Sequence, residues 1–361
     1  MDQKSINLAL QGGGAHGAFT WGVLDRLLDE PWLDIAGISG TSAGALNGAA
    51  LKAGLARGKG RGGRQAAREN LDSLWNQVGA VSDNRMIRWM NSLMPTTRPF
   101  QRMAEAFSPA AWLEQVTRLF SPYDYGPFYV NPLAAVLREL PHPDFATSRG
   151  PELFVAATNV RTGRVRVFTG DRVTPDAVMA SACLPTLFQA VEIHDPQTGQ
   201  VESYWDGGYA ANPALFPLYP ERFPRDIVVV AINPMIRECL PRTPVEISDR
   251  VNEVSFNSSL LSQLRAIHFV KRLHAENRLK DRAMKNILVH MIMDDALMTD
   301  LSARSKLMPN QRLLLQMKEA GQKAADQFLT DHANKINDCD SCNMGEMFQR
   351  SLDLTDGVFQ G

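Results

Sequence analysis

An α/β fold, with a central and mostly parallel sheet and helices on both faces, follows from three features of the sequence. Apolar runs of strand length alternate with helical periodicity through the first fifty or so positions. Glycine clusters stand between each of these strands and the helix after it. Further along, Asp226-Ile227-Val228-Val229-Val230-Ala231-Ile232 has the unbroken apolarity of a strand buried on both faces, as in a helix-covered parallel sheet.

Each element can be justified in turn. Ile6 to Leu10 reads as a buried strand, and beyond the glycines Phe19, Val23 and Leu27 recur every four residues, with Leu24 and Leu28 beside them, as a helix does. Leu33 to Ile38 is a second strand, and the Ala/Gly/Leu-rich run to Leu55 a second helix, which predicts parallel strands joined by right-handed crossovers. Ala56 to Arg64, A-R-G-K-G-R-G-G-R, reads as a solvated mobile loop, with contact to an anionic headgroup or membrane surface as the functional alternative. A helical cap insertion is expected over about 71–140, broken by six prolines from Pro95 to Pro132. Its Trp75, Trp89, Trp112, Met86, Met90, Met94 and Met103 suit either helix packing or a lid over an apolar site. Strands return at Leu153–Ala157, at Val165–Phe168, and on both sides of the turn Asp195–Gly199, the last running into Asp206-Gly207-Gly208. Leu260, Leu264, Ile267, Val270 and Leu273 mark a long amphipathic helix, Asn286–Met293 a last strand and Gln311–Leu329 a last helix, with a loosely held polar tail beyond Asp331. The expected division is a catalytic domain over 1–235 and a helical extension over 236–361 packed on it.

Composition narrows the function. The chain has 361 residues, 44% hydrophobic and 21% charged, with net charge −1, which suits a globular protein and gives no basic excess for nucleic acid. No window approaches the ~18 uninterrupted apolar residues of a membrane span, and the leading apolar run is too short for a signal peptide. A cytoplasmic location is therefore expected, with peripheral contact at the inner membrane face or at a lipid or polyester granule. Of the four cysteines only Cys339 and Cys342 form C-x-x-C; one such pair cannot complete a four-ligand metal site, so neither metal nor cofactor is expected. Oligomeric state is not legible.

The chemistry lies in two glycine turns. Gly40-Thr41-Ser42-Ala43-Gly44 is G-x-S-x-G between a strand and a helix, where the glycines allow a sharp turn that exposes the Ser42 hydroxyl in front of a helix N-terminus. Gly12, Gly13, Gly14 and Gly17 can be read two ways, as the G-x-G-x-x-G of a dinucleotide-binding oxidoreductase or as backbone N–H groups aimed at an oxyanion. The first reading wants an acidic residue closing the second strand about 20 positions on. Asp34 opens that strand instead. For a base, a conventional Ser-His-Asp esterase would call on His268, His274 or His290; the other candidate is Asp206, turned inward by the glycines after it.

Together these blocks resemble the bacterial patatin-like phospholipases, serine lipid acyl hydrolases, over roughly residues 5–235. Gln11 to Gly17 is similar to the family's G-G-G-x-R-G, Gly40 to Gly44 to its G-x-S-x-G, Ala180-Ser181-Ala182-Cys183-Leu184-Pro185 to its small-residue block ending in proline, and Asp206-Gly207-Gly208 to its D-G-[GA]. The stretch from Arg250 to Leu273 looks like the helix that follows the catalytic domain in bacterial members. The resemblance implies a three-layer patatin-like fold, a Ser42–Asp206 dyad working without histidine through an acyl-enzyme, an oxyanion hole from Gly12, Gly13 and Gly14, and a lipid ester substrate. His16 departs from the pattern, standing where the family usually has arginine; support of an oxyanion or phosphate there would make the rate more sensitive to pH. Phospholipid is the expected substrate, with a polyhydroxyalkanoate polyester as an alternative. A lipid-surface or granule-binding protein with vestigial chemistry is the non-enzymatic rival.

Overall fold

A computed structural model describes residues 2–58, 60–82, 121–124, 129, 131–196, 198–237, 240–280, 283–301 and 310–349. Among them the strands β1 (Lys4–Leu10), β2 (Leu33–Thr41), β3 (Glu152–Asn159), β4 (Val165–Thr169), β5 (Val191–Asp195), β6 (Gln200–Asp206), β7 (Asp226–Val230) and β8 (Leu288–Ile292) form one sheet in the order β5-β6-β3-β2-β1-β7-β8, with β4 also on β3. The run from β3 through β8 is parallel throughout. The helices are α1 (Gly17–Leu27), α2 (Ala43–Arg57), α3 (Arg61–Ser82), α4 (Leu133–Glu139), α5 (His142–Phe145), α6 (Pro175–Ser181), α7 (Pro244–Ala275), α8 (Asp295–Asp300), α9 (Gln311–His332) and α10 (Met344–Gln349).

The apolar strands are buried on both faces because successive residues feed different cores. Leu8, Leu10, Val228 and Val230 join one cluster with Phe19 of α1, Leu46 of α2, Trp75 of α3 and Met317 of α9. Ala9, Ile227 and Val229 join another with Leu260 and Leu264 of α7 and Phe348 of α10. Helices thus cover both sides of the sheet, giving a three-layer α/β architecture.

One feature of the register places the site. β4 occupies one edge of β3 over Phe154–Thr158, so the other edge is shared by β2, whose Thr41 pairs with Ala156, and by β6, whose Asp206 pairs with Ala157. The C-terminal ends of β2 and β6 therefore meet head to head.

Three expectations need correction. The basic segment is not a free loop: α2 runs to Arg57 and α3 starts at Arg61. Arg57 pairs with Asp144 at 2.8 Å, and Arg64 donates to the carbonyls of Leu28, at 3.2 Å, and Leu33. Within α3, Leu71, Leu74 and Trp75 are buried in the core, and the Trp75 indole donates to Asn47 Oδ1 at 2.9 Å. The lid expectation, with Trp89, Trp112, Met86, Met90, Met94 and Met103, falls outside the described residues. Beyond Asp331 the chain is held to residue 349: Ile336, Met344 and Phe348 are buried, and Asp340 Oδ1 accepts the Val289 N–H at 2.7 Å. Among the described cysteines, Cys339 is exposed and Cys342 half-buried, and both are free thiols.

Candidate active site

Ser42 stands where β2 gives way to α2, with φ 55° and ψ −125°, a left-handed conformation that a residue with a Cβ adopts only at a cost of about 1–3 kcal/mol. The flanking glycines permit it. A Cβ at Gly40 would sit 2.5 Å from the Gly44 carbonyl oxygen, and one at Gly44 would strike the Leu10 carbonyl. The elbow is pinned from outside by Ser181 in the small-residue block. Its hydroxyl accepts the Ser42 N–H at 2.9 Å and donates to the Ala156 carbonyl at 2.6 Å.

Asp206 arrives from the other direction. Its N–H donates to the Cys183 carbonyl at 2.7 Å, and its carbonyl accepts the Thr158 hydroxyl at 2.8 Å. Carboxylate Oδ1 accepts the Gly208 N–H at 2.7 Å. The group is wholly buried, and desolvation pushes it up from 3.8 to about 7, against the Gly208 N–H and the Ser42 hydroxyl, which both favour the charged form. Oδ2 has no hydrogen-bond partner among the described residues.

The glycine turn closes the third side. A Cβ at Gly12 would lie 2.5 Å from the Ser42 Cβ, so the missing side chain lets the two turns touch. The N–H of Gly12, one of the three glycines expected to hold an oxyanion, donates to Asn212 Oδ1 at 2.7 Å. Among the described residues no acceptor takes the N–H of Gly13 or of Gly14. Gly14 has φ 59°, which turns the chain into the short helical turn Gly14–His16. His16 is almost fully buried in that turn, which packs between α2 and α9.

The rival readings lose their geometry. Asp34 opens β2 at the far end of the strand from the glycine turn, where it cannot hold a ribose beside that turn. His274 Nε2 contacts the Met284 carbonyl, and His268 packs on Phe348. His290 does form a Ser-His-Asp set, with Asp226 Oδ1 at 2.9 Å from Nε2 and Ser341 Oγ at 3.1 Å from Nδ1. That set lies towards the opposite end of β7 from the Ser42 elbow, with His290 and Asp226 buried, Ser341 half-buried and the carboxylate on the nitrogen that should face the serine.

Residues 8–219 match the family described as patatin-like phospholipase, well over half of the chain. The chain belongs to that family. It is therefore a lipid acyl hydrolase of patatin type, and its sheet with helices on both faces is the patatin-like fold. Among solved structures, VipD from Legionella pneumophila is similar at a TM-score of 0.41 and 16% identity, covering 91% of this chain and 67% of that one. No curated protein matches the chain. No helix among the described residues is long and apolar enough to cross a membrane, and none of their His, Cys, Asp and Glu side chains cluster as metal ligands.

The motif residues Ser42, Asp206 and the glycines come together from three parts of the chain. Ser181 was read from sequence only as part of the small-residue block, and Asn212, Asn233 and Asn257 were not singled out, because each bonds to a backbone group well away in the chain.

Proposed function

We propose that the chain hydrolyses carboxylic ester bonds of glycerophospholipids or related lipids, with Ser42 as nucleophile and Asp206 as general base. The observation that carries this reading is the buried Asp206 carboxylate, raised to about 7 and set against the Ser42 hydroxyl where β2 and β6 meet. A base that titrates near neutrality holds a proton readily and gives it up readily.

Asp206 takes the hydroxyl proton as Ser42 Oγ attacks the ester carbonyl. The N–H groups of Gly13 and Gly14 and the N-terminus of α2 stabilise the oxyanion, each well-placed donor being worth about 3 kcal/mol. As the tetrahedral intermediate collapses, Asp206 returns the proton to the leaving alcohol or lysophospholipid, and Ser42 keeps the acyl group. Water then attacks the acyl-enzyme and loses a proton to Asp206, which passes it to Ser42 Oγ as the second tetrahedral intermediate collapses, so the fatty acid departs and the free serine and carboxylate are restored.

Purified enzyme offered phospholipids, neutral lipids and polyhydroxybutyrate should release fatty acid from the lipids, and a fluorophosphonate should label Ser42. Ser42→Ala and Asp206→Asn should each abolish release while keeping a cooperative melt. Full activity in either variant would sink the dyad, and release of hydroxy acid from polyester alone would move the substrate to polyhydroxyalkanoate.

A further inference from the structure

Four side-chain amides converge on the glycine turn from four parts of the chain: Gln11 at the end of β1, Asn212 after the Asp206 turn, Asn233 after β7 and Asn257 in α7. All four are buried. Asn212 grips both polar groups of Gly12, its Oδ1 accepting the N–H at 2.7 Å and its Nδ2 donating to the carbonyl at 3.3 Å. Asn233 Nδ2 adds a second donor to that carbonyl at 2.8 Å. Gln11 Oε1 accepts the N–H groups of Ile232 at 2.9 Å and Asn233 at 3.1 Å, and also Asn233 Nδ2 at 3.2 Å. Its Nε2 donates to Asn257 Oδ1 at 3.1 Å and to the Asn212 carbonyl at 3.3 Å. Asn257 Nδ2 is anchored in turn on the Pro234 carbonyl at 3.0 Å.

The need for such a cage arises from where the strand ends. The last ladder bond of β1 on the β7 side runs from the Gln11 N–H to the Val230 carbonyl at 3.2 Å, and beyond it Gly12 has no neighbouring strand. A buried residue without partners is costly, and a glycine without partners can rotate. The Asn212 carboxamide supplies one donor and one acceptor, as a paired strand would. Fixing both groups of Gly12 sets the direction of the next N–H groups along the chain, at Gly13 and Gly14.

We infer that Gln11, Asn212, Asn233 and Asn257 are positioning residues for the oxyanion turn, and that α7 completes the active site through the Asn257–Gln11 contact. The inference rests on the Ser42–Asp206 dyad and adds to it, because Asn233 and Asn257 lie beyond residue 219, where the family match ends.

The test uses the full-length enzyme and an active-site titration with fluorophosphonate, so that turnover is counted per competent serine. Asn257→Leu leaves Gln11 Nε2 short of an acceptor, and Gln11→Leu removes the link from the other side. Each should lower kcat by about 10²-fold with KM little changed, as a misplaced transition-state donor does. The double variant should lose less than the two single losses combined, because both changes break the shared Gln11–Asn257 contact. A purely structural role would lower the melting temperature and the titrated fraction but leave kcat per site as in wild type. That result would overturn the inference while leaving the dyad standing. Activity surviving in Ser42→Ala would instead overturn the dyad. If Asn257→Leu does not fold, Asn257→Ala removes the same acceptor with less crowding and is judged by the same kcat.

Discussion

With Asp206 as the proposed base, activity and stability are coupled through one buried carboxyl. Its rise from 3.8 to about 7 corresponds to roughly 4 kcal/mol against the ionised form in the folded chain. The base must be ionised to work, so kcat/KM should fall as pH drops through about 7, and a profile flat from pH 5 to 8 would remove Asp206 from that role. Stability moves the other way. Below about pH 4 both folded and unfolded chains hold the proton and the residue contributes no difference. Between about 4 and 7 the unfolded chain releases its proton and the folded one keeps it, so stability declines as pH rises; above 7 the full cost is present. Asp206→Asn should therefore be inactive yet more stable than wild type at pH 8, with an advantage that shrinks towards pH 4, as urea titrations at the two pH values would show. An equal difference at both would count against the raised carboxyl. At this scale Ser42 and Asp206 were legible because each sits beside glycines that only a forced turn requires. The Ser181 hydroxyl and the amides of Gln11, Asn212, Asn233 and Asn257 were not. Their bonds cross the chain by distances that no local pattern encodes, from Ser181 to the Ser42 N–H and from Asn212 to Gly12.

Among the elements, α1 and α9 approach more closely than ordinary helices can. A Cβ at Gly22 of α1 would strike the Lys318 carbonyl, and one at Gly321 of α9 would strike the Phe19 carbonyl, so two glycines let the backbones touch. Around that contact the Lys318 ammonium lies 4.1 Å from the Trp21 ring centroid and 3.0 Å from Asp72 Oδ1, which also accepts the Trp21 indole N–H at 3.0 Å. Gly321→Val should force the helices apart and lose about 1–3 kcal/mol, read as a lower urea midpoint with unchanged slope. A midpoint equal to wild type would show that α9 can move away freely. Helix and strand periods were readable in most of these elements. The basic stretch from Ala56 to Arg64 misled because its glycines suggested a loop, whereas Gly63 sits against the Gly58 carbonyl and Arg64 finds two backbone acceptors at the end of α1 and the start of β2. The tail misled because its polar residues outnumber Ile336, Met344 and Phe348, which carry the packing.

Across the whole molecule, the stretch that carries the motifs depends on the residues after 235. Every motif residue lies before that point, and the family match ends at 219. The sheet does not end there. β8 pairs with β7 along its full length, and α7 and α10 cover the face that Ala9, Ile227 and Val229 present. On the other face α9 closes over α1, and at the glycine turn Asn257 holds Gln11. Ending the chain after residue 235 would leave β7 as an apolar edge with unpaired backbone groups, the kind of surface that pairs with other chains. It would also expose two apolar faces at once. Residues 1–235 produced alone should therefore be insoluble or aggregated on size exclusion and should not react with a fluorophosphonate. Adding 236–361 as a separate chain during refolding should restore some soluble, labelled enzyme if these contacts carry the docking. A monodisperse fragment with a cooperative melt would show that the motif-bearing half closes its own core, and the role assigned to β8, α7 and α9 would have to be withdrawn.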